Sequence, residues 1–190
     1  MKVIGLTGNI GCGKSTVAGF LRDSGVATVD ADAVAREIRQ NDSDARAEII
    51  GRFGTYEAAE LADVVFTDAE ALRDLERILH PRVRGAIRAR LAELDEGGVE
   101  VAAVEAIKLL ESPLADACDQ IWVVRCDESD AIRRMAESRD MDEESARLRL
   151  GSQSSQDAKV AAADVVIDGS APMEETRRQV ELALAVLRSA

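Results

Sequence analysis

An α/β fold is what this sequence predicts: a parallel sheet of about five strands with helices on both faces. Three observations predict it. Short apolar runs recur at residues 3–6, 27–29, 99–104, 120–125 and 163–167, and helically spaced apolar residues lie between them. The runs are near-continuously apolar rather than alternating, which suits strands buried on both faces of a doubly wound sheet. A glycine-rich turn sits directly between the first run and the first helical stretch.

That turn reads Gly8-Asn9-Ile10-Gly11-Cys12-Gly13-Lys14-Ser15-Thr16. It fits the phosphate-loop pattern G-x-x-x-x-G-K-[ST], in the strand–loop–helix setting the pattern requires. Glycines at 8, 11 and 13 let the backbone curl and bring its N–H groups close to phosphate oxygens. The helix that follows adds its positive N-terminal end. Lys14 reaches the outer phosphates as a point charge, and the Ser15 hydroxyl is placed to ligate Mg²⁺. Residues 14–21 should be helical, since Val17, Phe20 and Leu21 share one face. Cys12, beside Lys14 and a helix N-terminus, is expected to be an accessible thiol of lowered pKa that bound ATP shields, against the alternative of a small side chain packed inert under the loop.

The second run ends at Asp30-Ala31-Asp32. Carboxylates there stand at the carboxyl end of a strand, where open α/β sheets bind ligands. Either can also cap the helical stretch containing Val34, Ala35 and Ile38. From there only helical pattern follows, too long for a simple crossover, so about 34–96 reads as a helical insertion. Leu72, Leu75, Ile78 and Leu79 form one stripe, and Val83, Ile87 and Leu91 the next. Pro81 lies between them and predicts that one helix ends near His80 and another begins. After the third and fourth runs, about 128–159 is charged and Arg-rich, with Asp127 and Asp142 placed as N-caps, and reads as a small helical lid. The last run leads to a helix opening on Pro172, Glu174 and Glu175 and burying Val180, Leu184 and Leu187. One domain over 1–190 is expected, its core formed by 1–33, 97–127 and 160–190.

Composition narrows the function. Hydrophobic residues make up 46% and charged residues 32% of 190, ordinary for a soluble domain. No apolar run approaches the ~20 residues of a membrane span, and an opening that runs straight into a strand predicts no signal peptide. Cys12, Cys118 and Cys126 are odd in number and lack metal spacing, and His80 is the single histidine, which argues against zinc and for a reducing cytoplasm. A net charge of −12 argues against nucleic acid as a partner. It also means that polyphosphate binding needs locally gathered cations. Arg133, Arg134, Arg139, Arg147 and Arg149 form one group, and Arg82, Arg84, Arg88 and Arg90 another. Most read as solvated helix faces paired with nearby acids. The sequence is compatible with a monomer and sets no oligomeric state.

The guanine-reading Asn-Lys-x-Asp of GTPases is absent, as is the Ser-Gly-Gly signature of transporter ATPases. A short chain with an insertion after the second strand and an Arg-rich lid has the layout of a small-molecule kinase. The insertion would hold the acceptor, and the lid would close over ATP.

At this point the chain resembles one family over nearly its whole length, the dephospho-CoA kinases. The resemblance rests on the opening Ile-Gly-Leu-Thr-Gly-Asn-Ile-Gly-Cys-Gly-Lys-Ser-Thr-Val, on Val29-Asp30-Ala31-Asp32, and on Leu79-His80-Pro81 with Phe66 upstream. Leu109-Leu110-Glu111, the Arg134 to Asp140 stretch, Arg149 to Gln153 and Ala163-Asp164-Val165-Val166-Ile167 complete it. The chain departs from the family's pattern at Asn9, where a glycine is usual, at Ile107-Lys108, where Pro-Leu is usual, and around Glu57-Ala58.

The resemblance implies transfer of the ATP γ-phosphoryl to the ribose 3′-hydroxyl of dephospho-CoA, with Mg²⁺. Such a transfer needs a donor cradle, a metal, a group that orients the hydroxyl, and cations for the equatorial oxygens. Gly8 through Thr16 would form the cradle. Asp32 would orient and deprotonate the acceptor. Arg139 would be the lid arginine, against the alternative of an ion pair with Asp140 or Asp142, and Arg149 would touch ATP from the next helix. His80 would belong to acceptor-site architecture or merely cap a helix at Pro81. Lys108 is either an acceptor phosphate contact or a solvated side chain. A kinase for a nucleotide or another small hydroxylated metabolite stays open, as does a nucleotide-sensing module, although a sensor needs no acceptor pocket.

Overall fold

The computed structural model describes residues 1–139 and 142–189, without the side chains of Phe66, Ser138 and Arg139. Among these residues five strands form one sheet in the order β2-β3-β1-β4-β5. They are β1 (Lys2–Gly8), β2 (Ala27–Asp30), β3 (Val101–Glu105), β4 (Gln120–Arg125) and β5 (Val165–Asp168). The pairings of β1 with β3, β1 with β4, and β4 with β5 are all parallel. The central strand explains the apolar runs: Ile4, Leu6, Val101, Ala103, Trp122 and Val124 are all buried. Two aspartates fix the amino edge, Asp119 accepting from the Val3 N–H at 2.6 Å and Asp164 from the Ile121 N–H at 2.7 Å. Register then carries the other edge. Leu6 pairs with Glu105, and Gly8 with Val124, so the first, third and fourth strands end together beside the glycine-rich turn.

The chain forms two compact units, Met1–Val29 with Leu94–Ala190, and Asp30–Glu93. In the first, α1 (Lys14–Asp23) and α9 (Met173–Ser189) bury Val17, Leu21, Val180, Leu184 and Leu187 in the sheet's core cluster. The charged stretch before β5 is three helices: α6 (Glu128–Arg139), α7 (Glu143–Gly151) and α8 (Gln156–Ala161). Asp142 caps α7 as its sequence position suggests, accepting from the Ser145 N–H at 2.8 Å. That bond, with one from the Ser145 hydroxyl, holds its carboxyl below the usual range.

The second unit is helical: α2 (Ala31–Asn41), α3 (Ser43–Phe53), α4 (Ala58–Thr67) and most of α5 (Ala69–Glu96). Asp30 and Asp42 cap α2 and α3, each accepting two backbone N–H groups. The expected break at Pro81 does not occur. A single 28-residue helix runs through it. An interior proline costs ~3 kcal/mol, but the helix buries Ala71 before it and Val83, Ile87 and Leu91 after it. Arg82 also donates its guanidinium to the Ile78 carbonyl at 2.7 Å, bracing the turn around the proline. The first stripe is rotated from expectation, with Leu72 exposed and Ala71 buried.

Candidate active site

The turn between β1 and α1 is gripped from several sides. The N–H of Cys12 donates to the Asn9 carbonyl at 3.3 Å, closing a tight turn. Gly11 has φ near +80°, and a side-chain carbon there would lie 2.6 Å from the Ala131 carbonyl oxygen on α6. Only glycine fits, because the helix backbone presses directly on the loop. On the other side, a side-chain carbon on Gly169, just past β5, would collide with the Cys12 carbonyl oxygen. Arg134 of α6 spans both neighbours, donating to the Gly169 carbonyl at 2.7 Å and to the Gly11 carbonyl at 3.4 Å.

Within the loop, Lys14 is buried and its Nζ donates to the Asn9 carbonyl at 3.3 Å. The first helical bond of α1 runs from the Val17 N–H to the Gly13 carbonyl at 3.1 Å. The N–H groups of Ser15 and Thr16 therefore have no intrahelical acceptor and face a helix N-terminus suited to anions. Ser15 is exposed, with its hydroxyl on that first turn. No cluster of three or more His, Cys, Asp or Glu side chains able to hold a metal occurs among the described residues.

The segment after α7 reaches the same loop. The Gln153 side-chain oxygen accepts from the Ile10 N–H at 3.0 Å. Lys159 donates to the Asn9 side-chain oxygen at 2.8 Å and to the Ile107 carbonyl at 3.3 Å. Gln156 accepts from the Cys126 N–H and donates to its carbonyl, both at 3.0 Å. A cavity of about 300 Å³ opens here, lined by Asn9, Cys12, Arg147, Gln153 and Gln156 among others.

The accessible thiol expected at Cys12 and the helix start expected at His80-Pro81 need correction, and the other expected residues are placed as follows. Cys12 is buried and disulfide-bonded to Cys126, so it is neither accessible nor a thiolate. Two residues in one loop–strand-end contact were 114 apart in sequence, a pairing that a count of three cysteines cannot reveal. Cys118 is the free thiol, and burial pushes it up to about 11. His80 does not precede a helix start: it lies exposed in the middle of α5. Asp30, not Asp32, caps α2, and Asp32 is exposed on its first turn. Arg149 is exposed on α7, and Arg147 of the same helix lines the cavity. Lys108 is exposed three residues beyond β3. The Arg139 side chain and Asp140 lie outside the described residues. Nothing in the sequence marks Lys159, Gln156 or Arg134 as loop contacts, since each reaches the loop across more than a hundred residues or through a neighbour of it.

Comparison with known proteins bears on this arrangement. The dephospho-CoA kinase family model matches residues 2–175. A dephospho-CoA kinase of Geobacter sulfurreducens is 36% identical over 189 residues, covering 95% of this chain and 96% of that protein. One from Leifsonia xyli is 40% identical over 197 residues, covering 99% and 100%. Among solved structures, the Thermus thermophilus protein TT1252 superposes with a TM-score of 0.85 at 29% identity, covering 98% of this chain and 97% of that one. A dephospho-CoA kinase from Campylobacter jejuni gives a TM-score of 0.71 at 23% identity, covering 98% of each, and bears on the fold alone.

Proposed function

The chain belongs to the dephospho-CoA kinase family, and from that premise we propose that it transfers the γ-phosphoryl of ATP to the ribose 3′-hydroxyl of dephospho-CoA, giving CoA and ADP. The observation that carries the reading is the loop itself: a buried lysine, a helix N-terminus and an exposed serine hydroxyl, held by α6, α8 and the turn after β5. Positioning and charge stabilisation are most of what phosphoryl transfer asks of a protein.

In this reading the loop backbone and Lys14 bind the donor's phosphates. Ser15 would hold Mg²⁺, which when bound neutralises charge on the β- and γ-phosphates. Arg134 keeps Gly11 in place, and Arg149, with Arg139 as the sequence resemblance implies, would serve the donor from the lid. Asp32, two residues past the carboxyl end of β2 and in the first turn of α2, takes the proton of the acceptor hydroxyl. The helical unit Asp30–Glu93, with His80, and Lys108 supply acceptor contacts. A cytoplasmic enzyme using ATP from the cell's pool completes the reading.

The test is ADP formation from Mg-ATP with and without dephospho-CoA. Release that depends on dephospho-CoA, with phosphate appearing on the 3′-oxygen, is expected. Turnover with another hydroxylated acceptor but not with this one defeats the substrate assignment. ATP binding without turnover defeats the kinase reading.

A further inference from the structure

Lys159 is the most deeply buried cation described in this acidic chain, 2% exposed. Removing an ammonium group from water is costly unless it is well hydrogen-bonded. Its two partners are neutral oxygens, the Asn9 amide at 2.8 Å and the Ile107 carbonyl at 3.3 Å. Burial lowers its pKa, with Glu111 opposing the shift from a distance.

We propose that Lys159 is a positioning residue for ATP, fixing the phosphate loop through the side chain of Asn9. Three observations support this. Asn9 is buried, and its own carbonyl receives both Lys14 Nζ and the Cys12 N–H. One residue thus links the buried lysine of α8 to the phosphate-contacting lysine of the loop. The next loop residue is gripped by the same segment, through Gln153 on the Ile10 N–H. The second acceptor of Lys159, the Ile107 carbonyl, also takes the hydroxyl of Thr7, the residue before the loop, at 3.1 Å. Lys159 therefore ties the start of the loop to the segment after β3 as well as to α8. A glycine at position 9 would remove the tether's main acceptor.

A positioning role has a specific signature. The shorter bond of Lys159 runs to the loop at Asn9 and the longer one to Ile107, beside Lys108, so its loss should weaken donor binding far more than it raises the acceptor's KM. The inference rests on the loop being the ATP site, so ATP binding is measured directly, without any acceptor. Calorimetry with Mg-ATP on wild type, Lys159→Met, Asn9→Gly and the double variant gives the coupling, and melting temperatures run alongside. Lys159→Met is expected to raise the ATP dissociation constant roughly tenfold or more, as for a lost charge-assisted hydrogen bond. Asn9→Gly should do nearly the same, and the double variant should be no worse than the weaker-binding single. Unchanged ATP affinity with a lowered melting temperature overturns the proposal, as do additive effects in the double variant. If Lys159→Met does not fold, Asn9→Gly and Asn9→Leu with Lys159 intact carry the test: ATP affinity equal to wild type in both overturns it. Wild-type ATP binding without transfer to dephospho-CoA would sink the substrate assignment and leave this inference standing.

Discussion

The cations around the phosphate loop and those of the helical unit are handled in opposite ways. Lys14, Lys159 and Arg134 are buried or half-buried and donate to carbonyl and amide oxygens. In Asp30–Glu93, Arg52 pairs with Asp74 at 2.6 Å, Arg82 with Glu48 at 2.8 Å and with Asp42 at 3.5 Å, and Arg90 with Glu37. The same division holds on the exposed faces of α6 and α7, where Arg133 meets Asp130 at 2.7 Å and Arg147 meets Glu143 at 3.4 Å. Around the loop the hydrogen bonds of Lys14, Lys159 and Arg134 run to neutral carbonyl and amide oxygens. Elsewhere the chain pairs its cations in water, where each pair is worth little. The comparison ranks what substitutions should do.

The largest loss is expected at the loop's own lysine. Lys14→Ala should lower kcat by about a thousandfold, since charge stabilisation in a dry site is worth several kcal/mol. The fold should persist, read by circular dichroism. A folded variant with near-normal turnover would break the assignment of the loop as the donor site.

Next comes Asp32→Asn, expected to lower kcat roughly a hundredfold, the scale of a general base, with ATP affinity little changed. Asp30 occupies the cap, so the melting temperature should stay near wild type. Asp30→Ala should do the reverse, destabilising by about 1 kcal/mol as a lost N-cap. A swapped pattern, with Asp32→Asn melting early at full turnover, would mean that the two acids have exchanged roles. Arg134→Met is expected to raise the KM for ATP about tenfold, because Gly11 loses a donor that also holds Gly169.

The thiols give a smaller, chemical readout. Under non-reducing conditions an alkylating reagent should label neither Cys12 nor Cys126, and Cys118 only slowly at neutral pH, given a thiol pushed up to about 11. Labelling of Cys118 should speed up as the pH rises toward that value. Peptide mapping that finds Cys12 modified without reductant would contradict the buried, bonded state.

These expectations divide along what a sequence can carry. All five strands were legible, because a two-sided buried sheet writes continuous apolar runs, and β4 begins and ends where its run does. The loop was legible because its chemistry fixes residue types at fixed spacing. Pro81 gives a false stop signal, because the local cost of a proline is offset by burial of Ala71 before it and Val83, Ile87 and Leu91 after it, which the local sequence does not show. The loop contacts of Lys159 and Gln153 are hidden from the sequence for another reason. Lys159 meets Asn9 across 150 positions, and Gln153 meets Ile10 across 143. A lysine in a charged stretch looks solvated until packing excludes water from it. Cys12 was misjudged likewise, since the local field that favours thiolate acts only on a thiol that is exposed and unbonded.

The smallest expected effect belongs to the other side of the comparison. Arg52 hydrogen-bonds Asp74 on the helical unit, and that bond above all holds the Asp74 carboxyl below its usual range, with Arg77 assisting at 2.6 Å. A depressed carboxylate stabilises the fold above its unfolded pKa and loses that contribution as pH falls through the folded value. The difference between wild type and Arg52→Gln should therefore be full at neutral pH and shrink as the solution is acidified below the ordinary aspartate range near 4. At neutral pH it should not exceed ~2 °C in Tm, as exposed pairs allow, and added salt should narrow it further. Turnover should not change. Melting curves from pH 7 down to 3 decide the matter. A gap that persists at low pH would mean that Arg52 acts through its packing on the Phe53 ring, 5.2 Å from its guanidinium, rather than through charge.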